Sequence, residues 1–151
     1  MGRHHAAAAA RAGGKVVAVA DPRIEQARRL AGDGEALPSL ADLDGRVAVD
    51  VVHVCVPPAA HAQLAEQALA LGAHLIVEKP LTPDADTTAA LLAAAKAQGS
   101  MVVPVHQFLF QPGVRRILAA REALGAVTRV EFEAATAGAD STGLDPDELV
   151  A

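Results

Sequence analysis

Residues Asp50-Val51-Val52-His53-Val54-Cys55-Val56 form a nearly unbroken β-branched run, stopped at once by Pro57-Pro58. Such a run does not alternate, so it predicts a strand covered on both faces, as in a parallel sheet flanked by helices. The neighbouring segments agree: Val16 to Ala20, Leu75-Ile76-Val77 and Met101 to Val105 read as further strands. Helices are expected over Ile24 to Ala31, after Pro58 with Leu64, Ala68 and Leu71 inward, and from a capping Asp84 to Gln98. Each is closed by a glycine, Gly32, Gly72 and Gly99 in turn, as helix ends favour. Ala6 to Ala12 is alanine-rich and helical, and Gly13-Gly14 stops it. Strand and helix in alternation with short connections signify a parallel α/β sheet. Pro104 has no amide to donate, which puts the Met101 to Val105 strand at or near a sheet edge.

Composition narrows the class of function. The 151 residues amount to about one domain. Hydrophobic residues are 52% and aromatics only 2%, so the core is built from Ala, Val and Leu and suits helices on a parallel sheet. A net charge of −5 argues against a nucleic-acid partner, which needs a basic face. The single cysteine excludes an internal disulfide framework and a Cys-based zinc site. His4-His5 with Cys55 has no metal-ligand spacing, and no metal is expected. No apolar run is long enough to span a bilayer, and Met1 to His5 lacks the apolar core of a signal peptide. The expectation is a cytoplasmic chain with no membrane partner.

Both ends break the pattern. Val127 to Ala134 alternates, with Val130, Phe132 and Ala134 on one face and Arg129, Glu131 and Glu133 on the other. That is a half-solvated strand, foreign to a buried parallel sheet. Residues 1–123 are therefore read as one domain and 124–151 as the start of another. At the front, Asp21 ends a strand 19 residues after Gly2, the spacing of a dinucleotide-binding turn from its ribose-binding acid. Gly2 then stands as the last glycine of a G-x-G-x-x-G turn, so the sheet lacks its first strand.

With these elements in order, the sequence resembles the Gfo/Idh/MocA family of NAD(P)-dependent oxidoreductases. The motifs are Gly2 to Ala6 (GRHHA) opening a helix, Val17 to Pro22 (VAVADP) and Asp50 to His61 (DVVHVCVPPAAH). Gly72 to Pro80 (GAHLIVEKP) and His106 to Gly113 (HQFLFQPG) follow. The resemblance implies a Rossmann-like doubly wound parallel sheet lacking its first strand, followed by the start of an α+β C-terminal domain for substrate and oligomer contacts. It implies hydride transfer between a nicotinamide and a hydroxyl or carbonyl carbon of a sugar- or polyol-like substrate, in a homo-oligomer.

The site residues follow from the matched motifs. Asp21 accepts hydrogen bonds from the adenosine ribose and repels a 2′-phosphate, which favours NAD over NADP; Arg23 softens the preference. Gly2, Val56, Pro57, His61, Glu78 and Lys79 fall at cofactor-binding positions. Val56 and Pro58 stand where relatives often have Thr and Asn, so backbone contacts remain and side-chain hydrogen bonds are lost. Lys79 is the expected catalytic residue, donating to the substrate oxygen, and Pro80 commonly follows a cis bond. Glu78 pairs with Lys79 or shapes the nicotinamide pocket. His106 is the second catalytic candidate, beside nicotinamide or substrate. His53 and His74 read as structural histidines, Cys55 as a small core residue, and Arg28-Arg29 and Arg115-Arg116 as solvated helix faces.

The resemblance also implies a chain truncated at both ends. The family's second catalytic segment, an Asp and a His, has no counterpart in Ala139 to Ala151, which holds no histidine. A non-catalytic relative acting as a binding or oligomerisation module is the alternative. A different Rossmann enzyme, such as a dihydrodipicolinate-reductase-like protein, fits Glu78-Lys79-Pro80 less well.

Overall fold

A computed structural model describes residues 1–43 and 45–131. The chain divides into two compact units, Met1–Phe108 and Leu109–Ala151. In the first, α1 (Gly2–Arg11) precedes β1 (Ala18–Ala20), α2 (Ile24–Ala31) and β2 (Glu35–Leu37). Then come β3 (Val51–Val54), α3 (His61–Ala70), β4 (His74–Val77), α4 (Ala85–Gln98) and β5 (Val102–Pro104). In the second, the described helices are α5 (Pro112–Ala119) and α6 (Arg121–Leu124). No helix among the described residues is long and apolar enough to cross a membrane.

Every strand pair is parallel. β1 pairs with β2, with Ala18 opposite Glu35. β4 lies between β3 and β5, with Leu75 opposite Val52 and Val102. Its central position explains why Leu75 and Val77 are wholly enclosed. Pro104 sits on the outer strand β5, where a missing amide leaves no inner ladder broken. Among the described residues no ladder joins β1 to β3, so the sheet divides where a doubly wound order without its first strand would divide.

The core lies between the three-stranded sheet and α3 with α4: Val54, Ala65, Ala68, Leu69, Leu75, Val77, Leu91 and Ala95. Alanines on the inner faces of α3 and α4 let the helices approach closely. Burying Leu69, Leu75 and Val77 contributes about 1.5–3 kcal/mol each. At α4, Asp84 caps the first turn by accepting the Thr87 amide at 2.7 Å, and Gly99 ends the helix at φ 72°. A left-handed cap of this kind suits glycine.

Two elements differ from expectation. β2 has no β-branched residue to announce it. It forms because the chain turns tightly at Gly34, where a Cβ would stand 2.8 Å from the Val16 carbonyl oxygen. The Glu35 amide then donates to the Val17 carbonyl at 2.9 Å. The strand expected over 127–134 is not formed over 127–131, all of them exposed. A half-solvated strand needs a neighbour for its backbone groups, and none pairs with this segment among the described residues. Its remaining positions, with the 139–151 tail, lie outside the described residues.

Candidate cofactor site

Ligands of open α/β sheets bind outside the carboxyl ends of the strands, and the singled-out residues gather there. Asp21 follows β1, and its amide donates to the Leu37 carbonyl at 3.1 Å. Cys55 and Val56-Pro57 follow β3, Glu78-Lys79-Pro80 follow β4, and Val105-His106 follow β5. Gly2 opens α1, and a Cβ there would meet only Leu30 Cδ2 of α2 at 3.5 Å, an ordinary contact. The turn does not sterically demand glycine at this point.

The Asp21 carboxylate is 29% exposed. Its Oδ1 accepts the Arg23 amide at 2.8 Å and the Arg23 Nε at 3.4 Å, which orients the carboxylate. Oδ2 has no hydrogen bond among the described residues. A carboxylate held by one oxygen with the other open suits two ribose hydroxyls. α1 has no side-chain cap and no acidic residue in its first turn; the His4 amide donates to the Met1 carbonyl at 2.8 Å, which leaves the Gly2 and Arg3 amides for an anion such as a pyrophosphate. The donor set thus fits a dinucleotide. Arg23 is largely exposed beside Asp21.

His61 is fully enclosed. Its Nε2 meets the Val56 carbonyl at 2.8 Å and its Nδ1 the Pro80 carbonyl at 2.6 Å. A neutral ring donates through one nitrogen only, so serving both carbonyls at once takes two N–H groups. The ring ties the segment after β3 to the segment after β4 and offers no atom outward. Val56 and Pro57 also turn their carbonyls inward, to His61 and to the Ala60 amide at 3.0 Å. His61 thus holds two loops together instead of reaching a ligand.

Glu78 is buried, and its pairing differs from the Glu78–Lys79 option. Its amide donates to the Val54 carbonyl at 3.0 Å, Oε1 meets His5 Nε2 at 2.9 Å, and Oε2 accepts the Lys79 amide at 3.3 Å. The Lys79 ammonium is exposed and has no carboxylate partner among the described residues. The Lys79–Pro80 bond is cis. His106 is exposed, and its amide donates to the Pro104 carbonyl at 3.0 Å; its ring makes no hydrogen bond among the described residues.

Two groups at this edge are perturbed. Burial, and then the Glu78 carboxylate, push the Cys55 thiol up to about 11, against a smaller opposing pull from the Met1 amine. Burial, and then His5, hold His53 below the ordinary histidine value. His74 behaves as the structural histidine expected, its Nδ1 accepting the Met101 amide at 3.1 Å. Sequence reasoning missed His5, which pairs with both His53 and Glu78. Its position in the helix following the glycine turn was the only available signal. No group of three or more His, Cys, Asp or Glu among the described residues is placed to hold a metal. A shallow cavity lined by Leu43, Val47, Val49 and Leu71 lies at the opposite, amino ends of β3 and β4, away from these residues.

Comparison with known proteins agrees with this fold. Residues 1–106 match the model of an oxidoreductase family with an NAD-binding Rossmann fold, GFO_IDH_MocA. A dTDP-3,4-didehydro-2,6-dideoxy-α-D-glucose 3-reductase of Actinomadura kijaniata is 33% identical over 105 residues, 68% of this chain and 32% of that protein. A D-xylose 1-dehydrogenase (NADP(+)) of Haloferax volcanii is 35% identical over 104 residues, 66% of this chain and 32% of that protein. Among solved structures, a UDP-N-acetylglucosamine 3-dehydrogenase of Acidithiobacillus ferrooxidans superposes with a TM-score of 0.70 at 30% identity, covering 79% of this chain and 39% of that one. A 3-ketoreductase of A. kijaniata, solved with TDP-benzene and NADP, gives 0.67 at 31% identity over 73% of this chain and 35% of that one. The chain spans about a third of the length of the curated relatives it matches. With the strand order and a family match over residues 1–106 in agreement, the chain belongs to the Gfo/Idh/MocA family of NAD(P)-dependent oxidoreductases.

Proposed function

We propose that the chain is the cofactor-binding part of an NAD(P)-dependent oxidoreductase acting on a hydroxyl or carbonyl carbon of a sugar- or polyol-like substrate. Lys79 carries the reading. It follows the carboxyl end of the central strand β4, and its exposed ammonium is free of carboxylates among the described residues. The relatives support the substrate class, since their names include a sugar-nucleotide reductase and a xylose dehydrogenase.

When bound, the nicotinamide accepts or donates the hydride. The chain supplies the rest. In reduction Lys79 gives a proton to the substrate oxygen as the carbonyl becomes an alcohol; in oxidation the neutral amine takes that proton back. His106, exposed after β5, is the second group offered to the substrate. Asp21 holds the adenosine ribose, with Gly2 and the first α1 amides at the pyrophosphate. Glu78, His61, Val56 and Pro57 shape the nicotinamide side. The Asp21 carboxylate repels a 2′-phosphate, so NAD is preferred over NADP despite Arg23. Residues 1–123 form the cofactor domain and 124–151 begin a domain for substrate and self-association. The chain works inside the cell as a homo-oligomer.

The test is a fluorescence titration of NADH and NADPH against the whole chain, unobscured by tryptophan, which is absent. Saturable enhancement, stronger with NADH and weakened at least tenfold in Asp21→Ala, is expected; about 1.4 kcal/mol of lost binding corresponds to tenfold. A folded chain with no enhancement for either cofactor would overturn the reading.

A further inference from the structure

Glu78 is fixed by two histidines that the cofactor reading leaves unused. His5 on α1 meets Glu78 Oε1 through Nε2 at 2.9 Å. Its Nδ1 lies 3.0 Å from Nδ1 of His53 on β3, with the rings edge to face and their centroids 5.3 Å apart. The other Glu78 oxygen accepts the Lys79 amide at 3.3 Å. One hydrogen-bonded chain thus runs from His53 through His5 and Glu78 to the Lys79 backbone, drawing on α1, β3 and the end of β4.

We propose that His5 is a positioning residue for the Glu78–Lys79 corner and that His53 is its proton-exchange partner. The importance of that corner rests on the role of Lys79 given above; the hydrogen-bonded chain itself does not.

With Glu78 ionised and His53 uncharged, donor chemistry allows two states. A carboxylate accepts and never donates, so His5 Nε2 carries a hydrogen whenever Glu78 is ionised. A neutral His5 then has a bare Nδ1 and must accept from His53 Nδ1–H. A protonated His5 donates through Nδ1–H, and His53 must present a bare Nδ1 with its hydrogen on Nε2. The balance is one proton. It arrives from solvent at Nε2 of the half-buried His53, while the hydrogen on His53 Nδ1 crosses to His5 Nδ1. His5 gains the charge and His53 changes tautomer only.

The surroundings favour this division. Burial and the neighbouring His5 both disfavour a charge on His53, and His5 is the ring whose other nitrogen meets the Glu78 carboxylate, at 2.9 Å. Among the described residues, the other titratable groups at the corner are the Cys55 thiol, which feels Glu78 and the Met1 amine, and the exposed Lys79. Glu78 keeps its donor in both states, so its second oxygen stays on the Lys79 amide.

The experiment is a pH titration of the whole chain with ¹⁵N-labelled histidine rings, followed by long-range proton–nitrogen spectra. His53 Nδ1 is expected to pass from hydrogen-bearing to bare at the same midpoint at which His5 becomes charged. A His53 that charges with its own midpoint, or keeps one tautomer while His5 titrates, overturns the exchange. Positioning is read from the Lys79 amide. Its hydrogen exchanges about tenfold faster in His5→Leu and within about threefold of wild type in His5→Gln, which retains a donor. Equal exchange in all three overturns positioning, and the wild-type nitrogen spectra still decide the exchange if His5→Leu does not fold. Neither readout uses a cofactor, so failure to bind NADH would refute the functional reading separately.

Discussion

Replacing His61 with phenylalanine keeps a flat ring in an enclosed position and removes both nitrogens. In the native chain those nitrogens meet the Val56 carbonyl at 2.8 Å and the Pro80 carbonyl at 2.6 Å. A typical hydrogen bond contributes about 0.5–1.5 kcal/mol net, and a buried acceptor left without a donor costs about 1–3 kcal/mol. Pro80 is exposed and Val56 half-buried, so water can relieve the Pro80 carbonyl more readily than the Val56 carbonyl. The expected loss is therefore about 2–4 kcal/mol, with little cavity term because the ring volume is retained. Against a domain stability of about 5–15 kcal/mol this is large, and it corresponds to a Tm lower by about 4–16 °C. Circular-dichroism melting of wild type and His61→Phe measures it directly. The segments after β3 and β4 also lose their tie, so NADH binding should weaken even well below the lowered Tm. A Tm within about 2 °C of wild type would refute the clamp: it would mean that neither carbonyl depends on the imidazole.

Three further outcomes test other parts of the structure. Leu75→Ala, in the centre of β4 and fully enclosed, should cost about 2–5 kcal/mol in urea unfolding; a loss under ~1 kcal/mol would mean that the core does not close on β4. Asp84 is held below the ordinary carboxylate value of 3.8 first by the Thr87 amide, then by the Thr87 hydroxyl. Its stabilisation is thus complete above that ordinary value and is lost as pH falls through the lowered one. The gap in melting temperature between wild type and Asp84→Ala should therefore be constant near neutrality and close in acid; a gap that widens in acid would contradict the capping geometry. The only cysteine, Cys55, should react with iodoacetamide at a rate that climbs with pH without levelling off near neutrality, since its thiol lies at about 11. Glu78→Gln should raise that rate at any given pH by removing a neighbouring negative charge, and an unchanged rate would mean that Glu78 carries no charge next to Cys55.

Much of the fold is written locally. The β-branched run at Asp50 to Val56 reads as a strand and appears as β3 over Val51–Val54, but the expected cover on both faces is not there: with only β4 beside it among the described residues, Val54 alone is buried and Val51 is exposed. Asp84 and Gly99 bound α4 as their capping chemistry requires. Pro104 sits on an outer strand because it has no amide to give. Of the expected site, Asp21, Lys79 and His106 lie just beyond the ends of β1, β4 and β5.

What local chemistry could not supply is long-range pairing. β2 depends on the approach of Gly34 to Val16 and Val17, and the segment 127–131 shows the converse, a strand-like pattern with no partner beside it. At the site, the sequence by itself determined which residues carry charge and donors, because those are properties of the side chains alone. Only the tertiary structure decided where they point. It turned His61 onto two carbonyls and gave Glu78 to His5, 73 positions away, instead of to its neighbour Lys79. A buried carboxylate and a fully enclosed imidazole must find partners inside the fold, and which partners stand within reach is set by how α1, α3 and the sheet pack.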